Sequence, residues 1–233
     1  GLEPLAKMLM AQNSGDVATM AARFVDEEKE VATEEDALAG ARDIIAEWVN
    51  EHKYARKKMR WLFRKSALII SKVIKGKEEE GMNYKSWFDF SERIAAAPSH
   101  RVLAMLRGEK EGFLRLVVEP GREEAIHTLE EIFVKGNNAS SEQVKMAVED
   151  SYKRLLQPSM ETEMKEARET ISQSSANKDA KRQLIRNHET AIRGNDKTIG
   201  RLKAKDKTDK RIAELEARNK EIIAKKKQLQ KEI

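Results

Sequence analysis

All twelve aromatic residues and all four prolines of this 233-residue chain lie before Ile171. Aromatic side chains bury the most surface per residue, so only the front of the chain can pack a core around them. Residues 171–233 instead carry 18 Lys and Arg against 9 Asp and Glu, a net charge of +9, whereas residues 1–170 sum to −4. A segment that polar must pair with a helical partner to bury anything. The expected division is a folded region over 1–165 and a basic helical region over 166–233. Its boundary falls near the small, polar run 172–177.

Composition excludes several classes. There is no cysteine, so disulfide scaffolds, cysteine-ligated zinc and cysteine nucleophiles are out, and a reducing compartment suits the chain. The aliphatic run 67–70 is far short of the roughly 20 residues that span a bilayer. No signal peptide opens the chain, and Gly1 stands where a methionine would start a complete frame. A cytoplasmic location, no membrane partner and a parent longer than this chain are the expectations.

The front reads as mainly helical. Thr33 with Asp36 is a capping-box variant, and Ala37, Leu38, Ala41, Ile44, Ile45, Trp48 and Val49 then recur at helical spacing, predicting a helix over 34–52. A basic helix follows. It should turn Met59, Leu62 and Phe63 inward and Arg56, Lys57, Lys58, Arg60, Arg64 and Lys65 mostly to solvent. Strands are predicted over 68–74 and 113–118, paired as a small two-stranded element on the helices. Ser99 is read as a cap and Gly108 as the end of the next helix. Ser140 with Gln143 is read as a capping box, and Pro158 as the stop of the helix it opens.

Catalytic machinery is not legible. The four histidines, His52, His100, His127 and His188, stand far apart and in no metal-ligand spacing. Residues 76–81, Gly-Lys-Glu-Glu-Glu-Gly, place three carboxylates where a phosphate loop would need amides, and a solvated turn is the plainer reading. No nucleophile, base and oxyanion hole assemble. The expectation is no enzyme, no metal and no cofactor.

Specific strings say more than periodicity does. PSHRVLAMLRGEKEG at 98–112 runs into FLRLVV. Upstream stand LEPLA at 2–6, ALAGARDIIAE at 37–47, SKVIKGKEEEG at 71–81 and YKSWFDFSE at 84–92, and AVEDSYKRLLQPSMETE follows at 147–163. In this order and spacing they resemble the N-terminal helical region of the bacterial transcription accessory protein Tex family, over about residues 1–165. The resemblance implies a cytoplasmic protein that binds nucleic acid, RNA rather than DNA, and works with the transcription machinery. It also implies a parent continuing into an RNase H-like domain, helix-hairpin-helix modules and an OB-fold, none of which is visible in this chain. In the PSHR and RGEKEG strings, His100, Arg101, Arg107 and Lys110 are candidate nucleic-acid contacts. A plainer reading puts Arg101 and Arg107 in ion pairs and Gly108 and Gly112 in turns.

The tail has its own logic. Ile185, Ile192 and Ile199 are seven apart, and Ile212, Leu215, Asn219, Ile222, Lys226 and Leu229 follow a three-four pattern in a shifted phase. The slip falls at 205–209. An antiparallel, coiled-coil-like helical hairpin explains it best, and one long helix with a discontinuity is the alternative. Lys203, Lys205, Lys207, Lys210 and Arg211 cluster at the proposed turn, where weak, sequence-independent phosphate contacts are plausible. The competing reading is a protein–protein module that docks a partner or self-associates through the tail. The fold class expected is mainly α, with a small β element and a long helical hairpin.

Overall fold

The computed structural model describes residues 1–206 and 208–233. It contains two compact units, Gly1–Glu169 and Thr170–Ile233. The first runs α1 (Glu3–Ala11), α2 (Val17–Ala22), α3 (Glu34–Glu51), α4 (Lys53–Ser66), β1 (Leu68–Val73), β2 (Asp89–Arg93), α5 (Ser99–Lys110), β3 (Leu114–Glu119), α6 (Arg122–Phe133) and α7 (Ala139–Ser151). It ends with the opening turns of α8 (Gln157–Lys205).

The core centres on α3 against α7, with α1 and α2 on one flank and α6 on the other. The facing residues are small. Ala37, Ala41 and Ala46 of α3 meet Ser140, Ser141, Ala147 and Ser151 of α7, all buried, between Ile45, Val49, Val144 and Val148. The close approach lets the Ser151 hydroxyl donate to the Ala46 carbonyl at 2.7 Å. Thr33 and Asp36 form the expected capping box on α3. Trp48 is only half-buried, at the rim.

Gln12 ties the far end of the core together. It ends α1 in the left-handed region, at φ 55°. Its amide donates to the Phe133 carbonyl at 2.7 Å and accepts from the Lys135 N–H at 2.7 Å, and its own carbonyl accepts from the Asn138 side chain. Asn138 in turn caps α7, accepting from the Ser141 N–H at 2.9 Å. The cap is therefore Asn138, and the Ser140–Gln143 box does not form: Ser140 already lies inside the helix, buried.

The expected strands, β1 and β3, pair antiparallel, with Ile70 opposite Val117. A third strand, β2, joins the other edge of β1, so the β element is three-stranded in the order β2-β1-β3. β2 is short and carries Asp89, Glu92 and Arg93, a composition that protects an edge and disguises a strand. Alternation puts Ile69, Ser71, Leu114, Leu116 and Val118 on the buried face, where the Ser71 hydroxyl donates to the Trp87 carbonyl at 2.6 Å.

Two further expectations change. Gly108 does not end α5, which runs on to Lys110; the left-handed residue is Gly112, at φ 78°. Gly108 is glycine for space, since a Cβ there would lie 2.6 Å from Leu114 Cδ1. Ser99 makes no capping hydrogen bond; Pro98 occupies the cap position. Pro158 does not stop its helix either. A π turn over Tyr152–Leu156, closed by the Gln157 N–H donating to the Tyr152 carbonyl, widens the backbone just before the ring. That offset removes the usual clash of proline with the preceding turn, and α8 proceeds.

The second unit holds the remainder of α8 and α9 (Lys210–Lys231) as a helical hairpin. Ile199 and Ile212 are its most buried apolar residues, and Ile185, Ile192, Leu215, Ile222 and Leu229 are half-buried along the same seam. Asn219 interrupts the seam and is satisfied across it, accepting from Asn195 and donating to Asp196, both at 2.8 Å. Asp209 caps α9.

Replacing Ile45 by alanine should open a cavity in the α3–α7 seam and cost about 2–5 kcal/mol. Chemical denaturation followed by tryptophan fluorescence measures it, because Trp48 and Trp87 both belong to the first unit.

Candidate nucleic-acid interface

The candidate cations fall into two groups, one in each unit. On α5, His100, Arg107 and Lys110 are exposed, and their spacing gives them neighbouring positions on one side of the helix. Arg107 lies 3.9 Å from Glu111 and Lys110 3.6 Å from Glu169, so both are loosely engaged by carboxylates. Arg101 points elsewhere: its guanidinium donates to Glu92 of β2 at 3.2 Å. The structure thus brings three of these four to one side of α5, with Arg107 and Lys110 each beside an acid.

In the second unit, Lys203 pairs across the hairpin with Glu216 at 2.8 Å. Arg211 grips Asp209 at 2.6 Å, and that contact with the Arg211 side chain and N–H draws the Asp209 carboxyl down to about 2. Lys205 ends α8, Lys210 begins α9, and both are exposed. Lys207 lies outside the described residues. The turn does gather cations, but two of the four described are spent within the fold.

Of the residues at 76–81, Glu78, Glu79 and Glu80 are exposed and Gly81 is buried, and Lys77 pairs with Glu80 at 2.8 Å. Among the described residues no group of three His, Asp or Glu side chains is placed to hold a metal ion, and no helix is long and apolar enough to cross a membrane.

A third basic surface lies on α4. Met59, Leu62 and Phe63 are buried, as the periodicity predicts, and Ala55 is buried with them. Arg56 and Arg60, on the flank, both reach Glu163 at the start of α8, at 2.9 and 2.7 Å, and together they hold its carboxyl below the usual range, Arg60 foremost. The outward side is not purely charged. Tyr54 is 51% and Trp61 57% exposed there, with Lys57, Lys58, Arg64 and Lys65 around them. The expected solvated charged face therefore also carries two exposed rings. The signal was available, since 54 and 61 are seven apart and out of phase with Met59, Leu62 and Phe63.

Two packed units, one a helical core with a one-faced sheet and the other a cation-rich hairpin, define a helical protein with several basic surfaces. Residues 12–180 match the family model described as Tex central region-like, and the chain belongs to that family. The matched part is named as central, and it extends past the front region into the polar start of the tail. The chain is 38% identical over 168 residues to the uncharacterized protein YdcI of Bacillus subtilis, covering 71% of this chain and 23% of that protein. It is 41% identical over 118 residues to protein tex of Bordetella pertussis, covering 51% and 15%. To the transcriptional accessory protein Tex of Neisseria gonorrhoeae it is 37% identical over 119 residues, covering 51% and 16%. The chain therefore spans less than a quarter of the length of each of these relatives.

The Arg56–Glu163–Arg60 cluster should show in acid. A carboxyl whose pKa is depressed by folding contributes stability above its unfolded value and loses it as pH falls through the folded one. Glu163→Gln should thus lower stability at neutral pH by about 0.5–1 kcal/mol, its exposure limiting the effect. The two proteins should converge as pH falls below the carboxylate range, measured by thermal unfolding across pH.

Proposed function

We propose that this chain is part of a Tex-like transcription accessory protein that associates with RNA, and that its helical core is a non-catalytic scaffold holding basic surfaces in place. The observation that carries this reading is the family match, which includes a relative named as a transcriptional accessory protein. Binding by the chain itself is weak and independent of sequence, because its cations meet phosphates while the tail has no aromatic ring on which to stack a base. No cofactor enters, and a cytoplasmic setting accompanies the role.

A second reading makes the hairpin a module for a protein partner or a second copy. In its favour, Lys203–Glu216, Lys226–Glu189 and Lys181–Glu232 bind the two helices to each other with cations that phosphates would otherwise use.

Fluorescence anisotropy of labelled single-stranded RNA with the full chain, at several salt concentrations, separates the two. The RNA reading expects log affinity to fall with log salt by about 0.7 for each phosphate contact. Exchanging Lys205 and Lys210 for glutamate should weaken binding and flatten that slope. Absence of binding at low salt would leave the partner module as the surviving reading.

A further inference from the structure

The outward face of α4 combines two features that seldom share a helix. The helix carries seven Lys and Arg in 14 residues and no Asp or Glu, although residues 1–170 are net acidic. Its exposed large apolar residues are the aromatics Tyr54 and Trp61. Single exposed apolar residues need no explanation, but these two lie on one stripe with Lys57, Lys58, Arg64 and Lys65. Arg56 and Arg60 share the single carboxylate of Glu163, whereas no ion pair among the described residues engages Lys57, Lys58, Arg64 or Lys65. The stripe is thus positive, aromatic and free of competing carboxylates.

Its dimensions fit an extended ligand. Tyr54 and Trp61 are two turns apart, about 10.5 Å along the axis. That is about three steps of a stacked strand at about 3.4 Å each. Between the rings lies a shallow cavity lined by Tyr54, Lys57, Lys58 and Trp61. Each ring now has an ammonium over its face: Lys58 Nζ is 5.6 Å from the Tyr54 centroid and Lys65 Nζ 4.7 Å from that of Trp61. At an exposed site such a contact is weaker than the stacking of a base on the same ring. A base can therefore take the ring face while the lysine turns to the adjoining phosphate.

We propose that the Tyr54–Trp61 stripe of α4 is a binding site for single-stranded nucleic acid, with the two rings stacking bases and Lys57, Lys58, Arg64 and Lys65 meeting phosphates. This rests on the nucleic-acid reading above and adds to it a place and a strandedness. A duplex keeps its bases stacked inside and cannot use the rings, so single strands are preferred over duplexes of equal length. Recognition is tolerant of sequence, since every base has a face to stack. The chemistry admits RNA and DNA strands alike.

The test titrates the full chain with short oligouridylate, oligothymidylate and an RNA duplex, by anisotropy and by quenching of tryptophan emission. Trp61→Ala and Tyr54→Ala should each weaken single-strand binding by about tenfold and leave duplex binding unchanged. Trp61→Phe should retain affinity but lose the quenching that Trp48 and Trp87 cannot supply. Lys57→Glu with Lys58→Glu should weaken binding and flatten its salt dependence. All of these residues are exposed, and unchanged thermal unfolding verifies that the fold survives. Parallel responses of the two single strands mean that the shared base-and-phosphate chemistry is what is bound. A response to oligouridylate alone adds selection of the ribose hydroxyl. If the wild-type chain binds single strands and both alanine variants bind equally well, the α4 site is overturned while the nucleic-acid reading stands. If the wild-type chain binds none of the probes at low salt, both are overturned.

Discussion

The close packing of α3 on α7 is the constraint from which the rest of the first unit follows. Alanines and serines on the facing surfaces let the two backbones approach near enough for the Ser151 hydroxyl to reach the Ala46 carbonyl. With those axes fixed, the chain leaving α3 has little freedom. His52 ends α3 and caps α4, accepting from the Ala55 N–H, and its ring sits edge-on to Phe133 of α6. That junction sets where α4 starts. Burial of Met59, Leu62 and Phe63 then sets its rotation, so the face that carries Tyr54 and Trp61 has to point away from the core.

The opening turns of α8 lock the sheet to this helical base through cations used indoors. Lys165, largely buried, donates to Glu109 at 2.8 Å and to the Leu116 carbonyl at 2.9 Å, while Glu109 also accepts from the Leu116 N–H. Arg168 donates to the carbonyls of Ile94 and Ala97, just beyond β2. A buried ammonium or guanidinium is tolerated only with such partners. These contacts require α8 to continue straight through Pro158, and the π turn before it makes that possible. One local irregularity thus supports the attachment of the whole β element.

Legibility of this fold tracked how local each signal was. The capping box at Thr33, the inward face of α4, the strands β1 and β3 and the seam of the hairpin were all readable, because each depends on residues a few positions apart. The misses depend on distant or competing structure. Pro158 continues a helix because of a bulge that no propensity encodes. Gly108 is small because Leu114 arrives on it from the next strand. β2 has the charged composition of an edge, so its pattern resembled a loop. For the candidate contacts, Lys203, Lys205, Lys210 and Arg211 stand at the facing ends of α8 and α9, but ion pairing decides their availability. The partners of Lys203 and Arg101 lie in other elements.

Net charge proves to be a weak guide to where a polyanion would bind. The tail is the basic part by count, yet its hairpin consumes Lys203, Lys226 and Lys181 in holding two helices together. The front is acidic by count, yet its carboxylates are segregated: Glu163 serves Arg56 and Arg60, and none lies on the outward stripe of α4. A phosphate responds to the local field within about a Debye length, not to the sum over the chain. Stacking is also insensitive to charge balance and needs only a ring with an open approach. The surface best suited to a single strand is therefore the one where unpaired cations and exposed rings coincide. In this protein that coincidence is produced on α4 by the way its opposite face is buried.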